Sequence, residues 1–328
     1  MNRAERRLRK RNRHRRIRRF ILTAAIIVLV TGFGISWADA KDSADMGAPG
    51  PSMRSQDTAP QNTTATQDTA ASHNTAASKY IPQISFTKTP TDSIINTHYL
   101  ELINSDHPIN DWPEAGRLTP VWPDAPVGVS RDTILHEAAL SAVCGLFEEA
   151  REAKIGTYYI GSGFRDYDEQ KHLYDDSPDK SYVQPPGHSE HHSGLAADIY
   201  ALNVNTYEMP ASREGKWLAE NAWRYGLILR YADDKQGHTR IAYEPWHFRY
   251  IGEPHARFCR ENNMCLEEYI LFLKNSGGYE TEYNGRDYIV LYERPENGLI
   301  SIPEGMEYIV SGDNNGGYIV TAWKTTTY

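Results

Sequence analysis

Cysteine is scarce in this chain of 328 residues, which has only three, and no Cys-x-x-Cys pair occurs among them. The sequence therefore gives no support to a zinc site built from thiolates. Cys144 lies in a helical pattern of apolar residues, which indicates a small buried side chain. Cys259 and Cys265 are close enough for a short disulfide, but spacing alone is equally compatible with two free thiols.

Basic charge is depleted everywhere except at the start of the chain. Residues 1–19 hold 11 of the 35 Lys and Arg residues and only one acidic residue, Glu5. The remainder has 24 basic and 42 acidic residues, which gives it a formal net charge of −18. An acidic body of this kind argues against a polyanionic partner, so we expect no nucleic-acid partner.

Charge of either sign is absent from Phe20 to Trp37, directly after the basic segment. Positive charge before an apolar stretch keeps that end in the cytoplasm and directs the rest across the membrane. We predict a basic cytoplasmic segment at 1–19 and a single-pass transmembrane anchor at 20–38, which places the body outside the cytoplasm at the cell membrane. Ala38-Asp39-Ala40 resembles a signal peptidase site, so secretion after cleavage is the alternative.

Large apolar residues are nearly missing between residues 41 and 79, where Ser, Thr, Ala, Gln, Asp and Asn dominate. Such a segment cannot bury enough apolar surface to fold, so we predict a disordered linker. The main folded domain is expected at 80–276. After Gly277-Gly278, short β runs separated by turn residues predict a small β-rich C-terminal module at 278–328.

Hydrophobic periodicity predicts an α+β fold for the main domain. Apolar residues recur at helical spacing from Asp132 to Lys154, and Gly156 ends that pattern. Further helices are predicted at Tyr167–Tyr174, Glu214–Tyr225, Pro254–Asn262 and Leu266–Lys274, and strands at Thr157–Ile160, Leu195–Tyr200, Leu227–Tyr231 and His247–Ile251. This order favours a small antiparallel sheet with flanking helices.

Two short stretches carry residue types that bind metals. The first includes His191 and ends at Asp198, and the second is Glu244-Pro245-Trp246-His247. Zinc is bound by histidine nitrogens and carboxylate oxygens, and a catalytic site keeps one position open for water. Two histidines and Asp198 would supply three ligands, with Glu244 near enough to act as a general base.

The first stretch matches the pattern Ser-x-His-x-x-Gly-x-Ala-x-Asp through Ser189, His191, Gly194, Ala196 and Asp198. With Ser162-Gly163-Phe164-Arg165 upstream and the Glu-Pro-Trp-His stretch downstream, the sequence from about Tyr99 to Lys274 resembles the VanY-type zinc D-alanyl-D-alanine carboxypeptidases, which are LAS-type metallopeptidases. Three separate motifs in the right order make this resemblance specific. Phe164 departs from the family, which often has Tyr there.

The resemblance implies a zinc ion bound by His191, Asp198 and His247. It implies that Glu244 is the general base and then the acid that protonates the leaving amine, and that Arg165 stabilises the oxyanion. Ser189 and Gln170 are implied to contact the substrate. By the same resemblance, the zinc domain at 80–276 removes the terminal D-Ala from a peptidoglycan stem peptide.

Several alternatives remain open. The same zinc core would serve an L,D-carboxypeptidase or a peptidoglycan endopeptidase, and a non-catalytic wall-binding protein is a candidate of a different class. Glu244 and Arg165 argue against the last, although Arg165 could also be a structural ion-pair partner. Ser177-Pro178-Asp179-Lys180 matches the Ser-x-x-Lys of serine peptidases, but Lys-Thr-Gly is absent, so we treat the match as coincidence. The sequence does not determine the oligomeric state.

Structural or surface roles are predicted for the other polar residues near these motifs. His188 is expected to be structural or to orient a metal ligand through its ring N–H, and His192 is set aside as a ligand. Glu190 is predicted to be a solvated turn residue. The histidines expected at the surface are His172, His238 and His255.

Overall fold

The structure is a computed structural model that describes residues 85–90, 97–120, 133–295 and 297–325. The predicted cytoplasmic segment, the predicted anchor and the predicted linker all lie outside these residues. Within the described ranges, no helix is both long enough and apolar enough to cross a bilayer.

The described chain combines helices with antiparallel strands, which confirms the predicted α+β class. The helices are α1 (Glu137–Glu152), α2 (Tyr167–Asp176), α3 (Arg213–Asn221), α4 (Gln236–Thr239), α5 (His255–Glu261) and α6 (Leu266–Ser276). The strands are β1 (Phe86–Pro90), β2 (Leu118–Pro120), β3 (Ile134–His136), β4 (Tyr158–Ser162), β5 (Ala196–Ala201), β6 (Leu227–Leu229), β7 (His247–Tyr250), β8 (Gly278–Tyr283), β9 (Arg286–Glu293), β10 (Leu299–Pro303), β11 (Glu307–Gly312) and β12 (Tyr318–Thr325).

The main sheet has the strand order β4-β5-β7-β6, and all of its neighbouring strands are antiparallel. Ala197 and Ile199 of β5 join the core that the sheet forms with α1. Side chains alternate between the two faces of a strand, so Asp198 lies on the face opposite α1. The register of β5 and β7 places Asp198 directly beside His247.

The first long helix begins later than the sequence predicts. Residues Ile134–His136 form β3, which pairs with β2, and the helix starts only after His136. Nδ1 of His136 accepts a hydrogen bond from the backbone N–H of Ala138 at 3.2 Å and so caps the helix. Cys144 on this helix is half-buried rather than fully buried.

The C-terminal strands form a second antiparallel sheet with the order β11-β12-β9-β8. Val290 and Ile319 of this sheet share a hydrophobic core with Leu266 and Leu273 of α6. The β8 strand was not predicted from the sequence. These strands therefore pack on the preceding helix. The separate C-terminal module at 278–328 stays a prediction.

All three cysteines are free thiols in the structure. Cys259 lies near the end of α5 and Cys265 directly precedes α6, and both side chains are buried. Of the two alternatives left open by the sequence, the structure therefore has the pair of free thiols.

Candidate metal centre

His191, Asp198 and His247 meet at the centre of the main sheet, and one ligand atom from each lies within 4.8 Å of the others. Asp198 comes from β5 and His247 opens β7, whereas His191 lies in a 3₁₀ turn at Glu190–Ser193. Gly194 ends this turn with a left-handed φ of 70°. A Cβ there would lie 2.8 Å from the side chain of Leu118, so the tight return into β5 requires glycine.

The distances among the three side chains fit a single small metal ion. Nε2 of His191 lies 3.4 Å from Oδ1 of Asp198, and Nδ1 of His247 lies 3.3 Å from the same oxygen. Ligand atoms about 2.0–2.1 Å from a tetrahedral zinc ion would be roughly 3.3 Å apart. Nε2 of His191 and Oδ1 of Asp198 are buried without a hydrogen-bond partner in the described structure. Buried polar atoms are normally paired, so this donor set fits zinc.

The second nitrogen of each histidine ring faces a protein acceptor. Nδ1 of His191 donates to the carbonyl oxygen of Gly163 at 2.7 Å, which leaves Nε2 as the metal-binding atom. Nε2 of His247 lies 3.6 Å from Oε2 of Glu190, which leaves Nδ1 directed toward Asp198. The two rings would therefore bind a metal through different nitrogens.

Protonation of the two rings differs when no metal is bound. Burial, together with the positive charge of Arg165, lowers the pKa of His191 to about 4, so this ring is neutral at pH 7. Burial also acts to lower the pKa of His247, but the carboxylates of Asp198, Glu190 and Glu244 raise it well above its ordinary value. Metal binding requires the neutral ring, so it would displace a proton from His247.

Glu190 is a buried charge, so the prediction of a solvated turn residue is wrong. The residue is 1% exposed, and its Oε1 accepts hydrogen bonds from Nε of Arg230 at 2.8 Å and Nη1 of Arg249 at 2.9 Å. Burial would raise the pKa of Glu190, but the two guanidinium groups hold it well below its usual range. Arg249 on β7 and Arg230 directly after β6 thus stabilise the charged carboxylate beside His247.

Glu244 and Arg165 lie beside the three potential ligands. Oε2 of Glu244 is 3.4 Å from Nδ1 of His247, and burial raises the pKa of this carboxyl group. The backbone N–H of Arg165 donates to the carbonyl oxygen of His191 at 3.2 Å. Its side-chain Nε is buried and has no hydrogen-bond partner among the described residues. A carboxylate able to take a proton and a cation able to stabilise negative charge therefore share one site.

The two residues predicted to contact substrate are both buried. Ser189 directly precedes the turn that carries His191 and is 4% exposed. Nε2 of Gln170 donates to the carbonyl oxygen of Gln184 at 2.6 Å, while its Oε1 is buried with no partner among the described side chains and backbone. Their contact with substrate stays a prediction.

His192 has a supporting position that the sequence did not reveal. The backbone N–H of Gly187 donates to its Nε2 at 2.9 Å, and its Nδ1 donates to the carbonyl oxygen of Arg165 at 2.8 Å. The ring centroid of Trp112 lies 4.6 Å away. His192 thus ties the segment that carries Arg165 to the turn that carries His191. The only sequence signal was its position next to His191.

The predicted positions of the remaining histidines are confirmed for some residues and wrong for one. Nδ1 of His188 lies 2.7 Å from the carbonyl oxygen of Asn104, which agrees with a structural role. His172 and His238 are exposed, as predicted. His255 is fully buried, so its predicted surface position is wrong, because its helix packs beneath β12.

The chain is similar in sequence and fold to known carboxypeptidases and dipeptidases. The model of the family VanY, described as D-alanyl-D-alanine carboxypeptidase, matches residues 132–253. A D-alanyl-D-alanine carboxypeptidase of Enterococcus faecium is 41% identical over 184 residues, which cover 56% of this chain and 59% of that protein. The bifunctional D-Ala-D-Ala dipeptidase and D-Ala-D-Ala carboxypeptidase VanXYC of Enterococcus gallinarum is 33% identical over 184 residues, covering 52% of this chain and 92% of that protein.

Among solved structures, the vancomycin resistance D,D-dipeptidase VanXYg in complex with a D-Ala-D-Ala phosphinate analog matches with a TM-score of 0.63 and 29% sequence identity. The match covers 74% of this chain and 100% of that chain. Against three of the curated relatives, the chain spans between 51% and 59% of the relative's own length.

Proposed function

Because the chain belongs to the VanY family of D-alanyl-D-alanine carboxypeptidases, we propose that it is a zinc peptidase that releases the terminal D-Ala from peptidoglycan stem peptides. The family resemblance recognised in the sequence is confirmed by these matches. Membership of the family is shown, whereas the release of D-Ala and the stem-peptide substrate are proposed.

One observation carries the proposal. Nε2 of His191, Oδ1 of Asp198 and Nδ1 of His247 converge with the spacing of zinc ligands, and Glu244 stands 3.4 Å from the same nitrogen of His247. Three ligands with an adjacent carboxylate form the minimal set for hydrolysis at a zinc centre. In the proposal, His191, Asp198 and His247 hold the ion.

The proposed mechanism assigns proton transfer to Glu244. The chemistry that bound zinc supplies is polarisation of the scissile carbonyl group and acidification of the attacking water. Glu244 takes the proton from that water and later donates it to the leaving amine of D-Ala. Burial raises the pKa of Glu244, which brings its proton affinity closer to that needed near neutral pH.

Arg165 is proposed to stabilise the negative charge that develops on the carbonyl oxygen. Its Nε is buried without a partner in the described part of the chain, so a donor is available for a substrate oxygen. Its backbone is held by hydrogen bonds to His191 and His192, which fixes the position from which the side chain extends. Ser189 and Gln170 are proposed to contact the peptide beside it.

The test is mass spectrometry of the products that the zinc-loaded chain forms from a muropeptide with a defined pentapeptide stem. Glu244→Ala should slow D-Ala release by about 10²–10⁴-fold, since general acid–base catalysis contributes that much. The variant should still bind one zinc ion. Glu261→Ala, which changes an exposed carboxylate paired with Arg257, is the matched control and should leave turnover unchanged.

Two outcomes would contradict the proposal. Wild-type chain with a measured zinc ion that releases no D-Ala from the pentapeptide would reject the carboxypeptidase activity. Loss of zinc in Glu244→Ala would show that Glu244 is a ligand rather than the base.

A second candidate activity is hydrolysis of the free dipeptide D-Ala-D-Ala. It is favoured by the likeness to VanXYg, which is named as a D,D-dipeptidase, and to VanXYC, which is named as bifunctional. The same assay separates the two activities when the free dipeptide replaces the pentapeptide. Release of D-Ala from the dipeptide alone would assign the chain to the dipeptidases.

Attachment to the cell membrane is proposed from the sequence alone. The support is the uncharged stretch at Phe20–Trp37, preceded by the basic residues of 1–19. Fractionation of cells that produce the full chain tests it. Recovery of a shortened chain from the medium would instead support cleavage after the Ala38-Asp39-Ala40 site.

A further inference from the structure

A small pocket lies between the segment 98–111 and the turn that joins β11 to β12, and it has a cavity volume of about 200 Å³. The segment contributes His98, Glu101, Asn110 and Asp111, and the turn contributes Asn314 and three glycines. A water molecule takes up about 30 Å³ in the liquid, so the pocket has room for an ion together with several waters.

Glu101 brings a buried carboxyl group to this pocket. The residue is 4% exposed, and its Oε2 is buried with no hydrogen-bond partner in the described part of the chain. Nδ1 of His98 lies 3.7 Å from Oε2, which is too long for a hydrogen bond. Buried polar atoms are normally paired, because a carboxylate removed from water without a partner is strongly unfavourable. Oε2 of Glu101 therefore lacks the partner that such an atom usually has.

The side chains that line the pocket are acidic or uncharged. Burial raises the pKa of Glu101 to about 7, and the negative charge of Asp111 acts in the same direction. The charge of Arg249 opposes this rise, but the hydrogen bonds of its guanidinium group go to Glu190 and to backbone carbonyl oxygens. Burial lowers the pKa of His98, so this ring is mostly neutral at pH 7. A bound cation would favour the charged form of Glu101.

The available ligand atoms fit calcium better than zinc. The pocket offers two carboxyl groups, and its three glycines present only backbone atoms. Among the described residues, the metal centre is the one group of three or more His, Cys, Asp or Glu ligand atoms that is compact enough to hold an ion by itself. An ion in this pocket would need backbone oxygens and waters as well. Ca²⁺ accepts about six to eight such oxygens at about 2.3–2.6 Å in flexible geometry.

We propose that this pocket is a calcium site, with Oε2 of Glu101 and the carboxylate of Asp111 as its charged ligands. Backbone oxygens of the glycine-containing turn and water molecules complete the coordination. Because only two carboxylates contribute, we expect a Kd of about 10⁻⁴–10⁻³ M, as in calcium-binding modules outside cells. The proposal does not depend on the peptidase activity.

The ion would join two parts of the chain that are far apart in sequence. Nδ2 of Asn314 already donates to the carbonyl oxygens of Leu102 at 2.9 Å and Pro108 at 2.7 Å. The same segment contacts the loop before the turn that carries the first potential zinc ligand, because the backbone N–H of Ile109 donates to the carbonyl oxygen of Gly187 at 2.7 Å. Bound calcium should therefore stabilise the fold, since it binds only where these parts are assembled.

The test is calorimetric titration of the zinc-loaded full chain with CaCl₂ in calcium-free buffer at pH 8, with MgCl₂ in a parallel titration. Glu101→Gln keeps the shape of the side chain but removes its charge, and it should raise the Kd for Ca²⁺ at least about tenfold. Asp111→Asn should also raise the Kd, by a smaller factor because this side chain is exposed. Asp106→Asn is the matched control, since it changes an exposed carboxylate of the same segment that pairs with Arg240 outside the pocket.

Thermal unfolding of the same proteins distinguishes a lost ligand from a damaged fold. With CaCl₂ at ten times the Kd, the wild type should melt roughly 3–6 °C higher than in calcium-free buffer. Without calcium, Glu101→Gln should melt at or above the wild-type temperature, because an unpaired buried carboxylate has been removed. Calcium should not raise the melting temperature of this variant.

Absence of binding by the wild type at about 10 mM CaCl₂, which is ten times the highest Kd expected, would overturn the proposal. An unchanged Kd in Glu101→Gln would show that calcium binds only to the acidic surface and would also overturn it. Tighter binding of Mg²⁺ than of Ca²⁺ would reject the choice of ion. If Glu101→Gln does not fold, the Kd of Asp111→Asn decides the question, and an unchanged value there rejects the site.

Discussion

His191 and His255 are buried in two different parts of the molecule, and they differ in what their ring nitrogens contact. At the metal centre, Nε2 of His191 is buried with no hydrogen-bond partner in the described structure. At the junction of α5 and β12, both nitrogens of His255 are paired, with the hydroxyl of Tyr269 at 2.6 Å and that of Thr321 at 2.9 Å. A ring with both nitrogens paired serves packing, whereas a buried free lone pair is suited to a metal.

Acid–base behaviour alone would not separate these two environments. Burial lowers the pKa of His191 to about 4 and that of His255 to about 3, so both rings are neutral at pH 7. The difference lies in the neighbours: His191 faces Asp198, and His255 faces two hydroxyl groups. The hydrogen-bond partners of the ring nitrogens therefore distinguish the two histidines. Mutation of either histidine, or of its neighbours, tests the distinction.

The largest effect is expected from His191→Ala. The variant should lose its zinc, and D-Ala release should fall by at least about 10³-fold, because water activation at the metal and by Glu244 would both fail. Zinc content by atomic emission and D-Ala release from the pentapeptide measure the two effects. His172→Ala changes an exposed histidine and should retain both. Full zinc content in His191→Ala would break the distinction between the two histidine environments.

The structure brings together the three residues that the sequence predicts as ligands, because metal binding restricts both residue type and spacing. His191 and Asp198 are seven residues apart, and His247 follows in a separate short motif. Their convergence depends on the pairing of β5 with β7, which the predicted strands already allowed. The antiparallel sheet and most helices were likewise predicted from local periodicity.

The supporting residues could not be predicted in the same way, because their partners are distant in sequence. Glu190 is paired with Arg230 and Arg249, which lie 40 and 59 residues later in the chain. His255 is buried because Thr321, 66 residues away, packs over it. A turn or helix pattern carries no information on such contacts. The short β3 was missed because its pairing with β2 outweighs the helical pattern that continues through it.

Glu190→Gln sharpens the comparison, because it alters the support of His247 and leaves every potential ligand in place. Removing one charge from a buried ion pair costs about 3–5 kcal/mol. Loss of the partner that orients a metal-binding histidine weakens metal affinity by about 10–100-fold. Urea denaturation and zinc titration measure the two effects. Glu261→Gln alters an exposed pair with Arg257 and should change the free energy of unfolding by less than about 0.5 kcal/mol.

A smaller effect is expected on the other side of the comparison, from His255→Leu. Loss of both hydrogen bonds leaves the hydroxyl of Thr321 without its ring partner, which should lower the free energy of unfolding by about 1–3 kcal/mol at pH 7. Zinc content and D-Ala release should not change, because the hydrogen bonds of this ring go to Tyr269 and Thr321 and to none of the potential ligands. His172→Leu, at an exposed site, is the control. Loss of zinc in His255→Leu would show that the two environments are coupled.

The pH dependence of the same variant tests the origin of that stability. The pKa of His255 is about 3 in the folded chain, compared with an ordinary value of 6.5. Between these values the unfolded chain binds the additional proton, so this group makes the fold less stable as the pH falls from 6.5 toward 3. The contribution is at most about 1.4 kcal/mol per pH unit. His255→Leu should lose this part of the slope in urea denaturation measured from pH 7 to pH 4. An unchanged slope would mean that His255 takes up its proton without leaving its buried position.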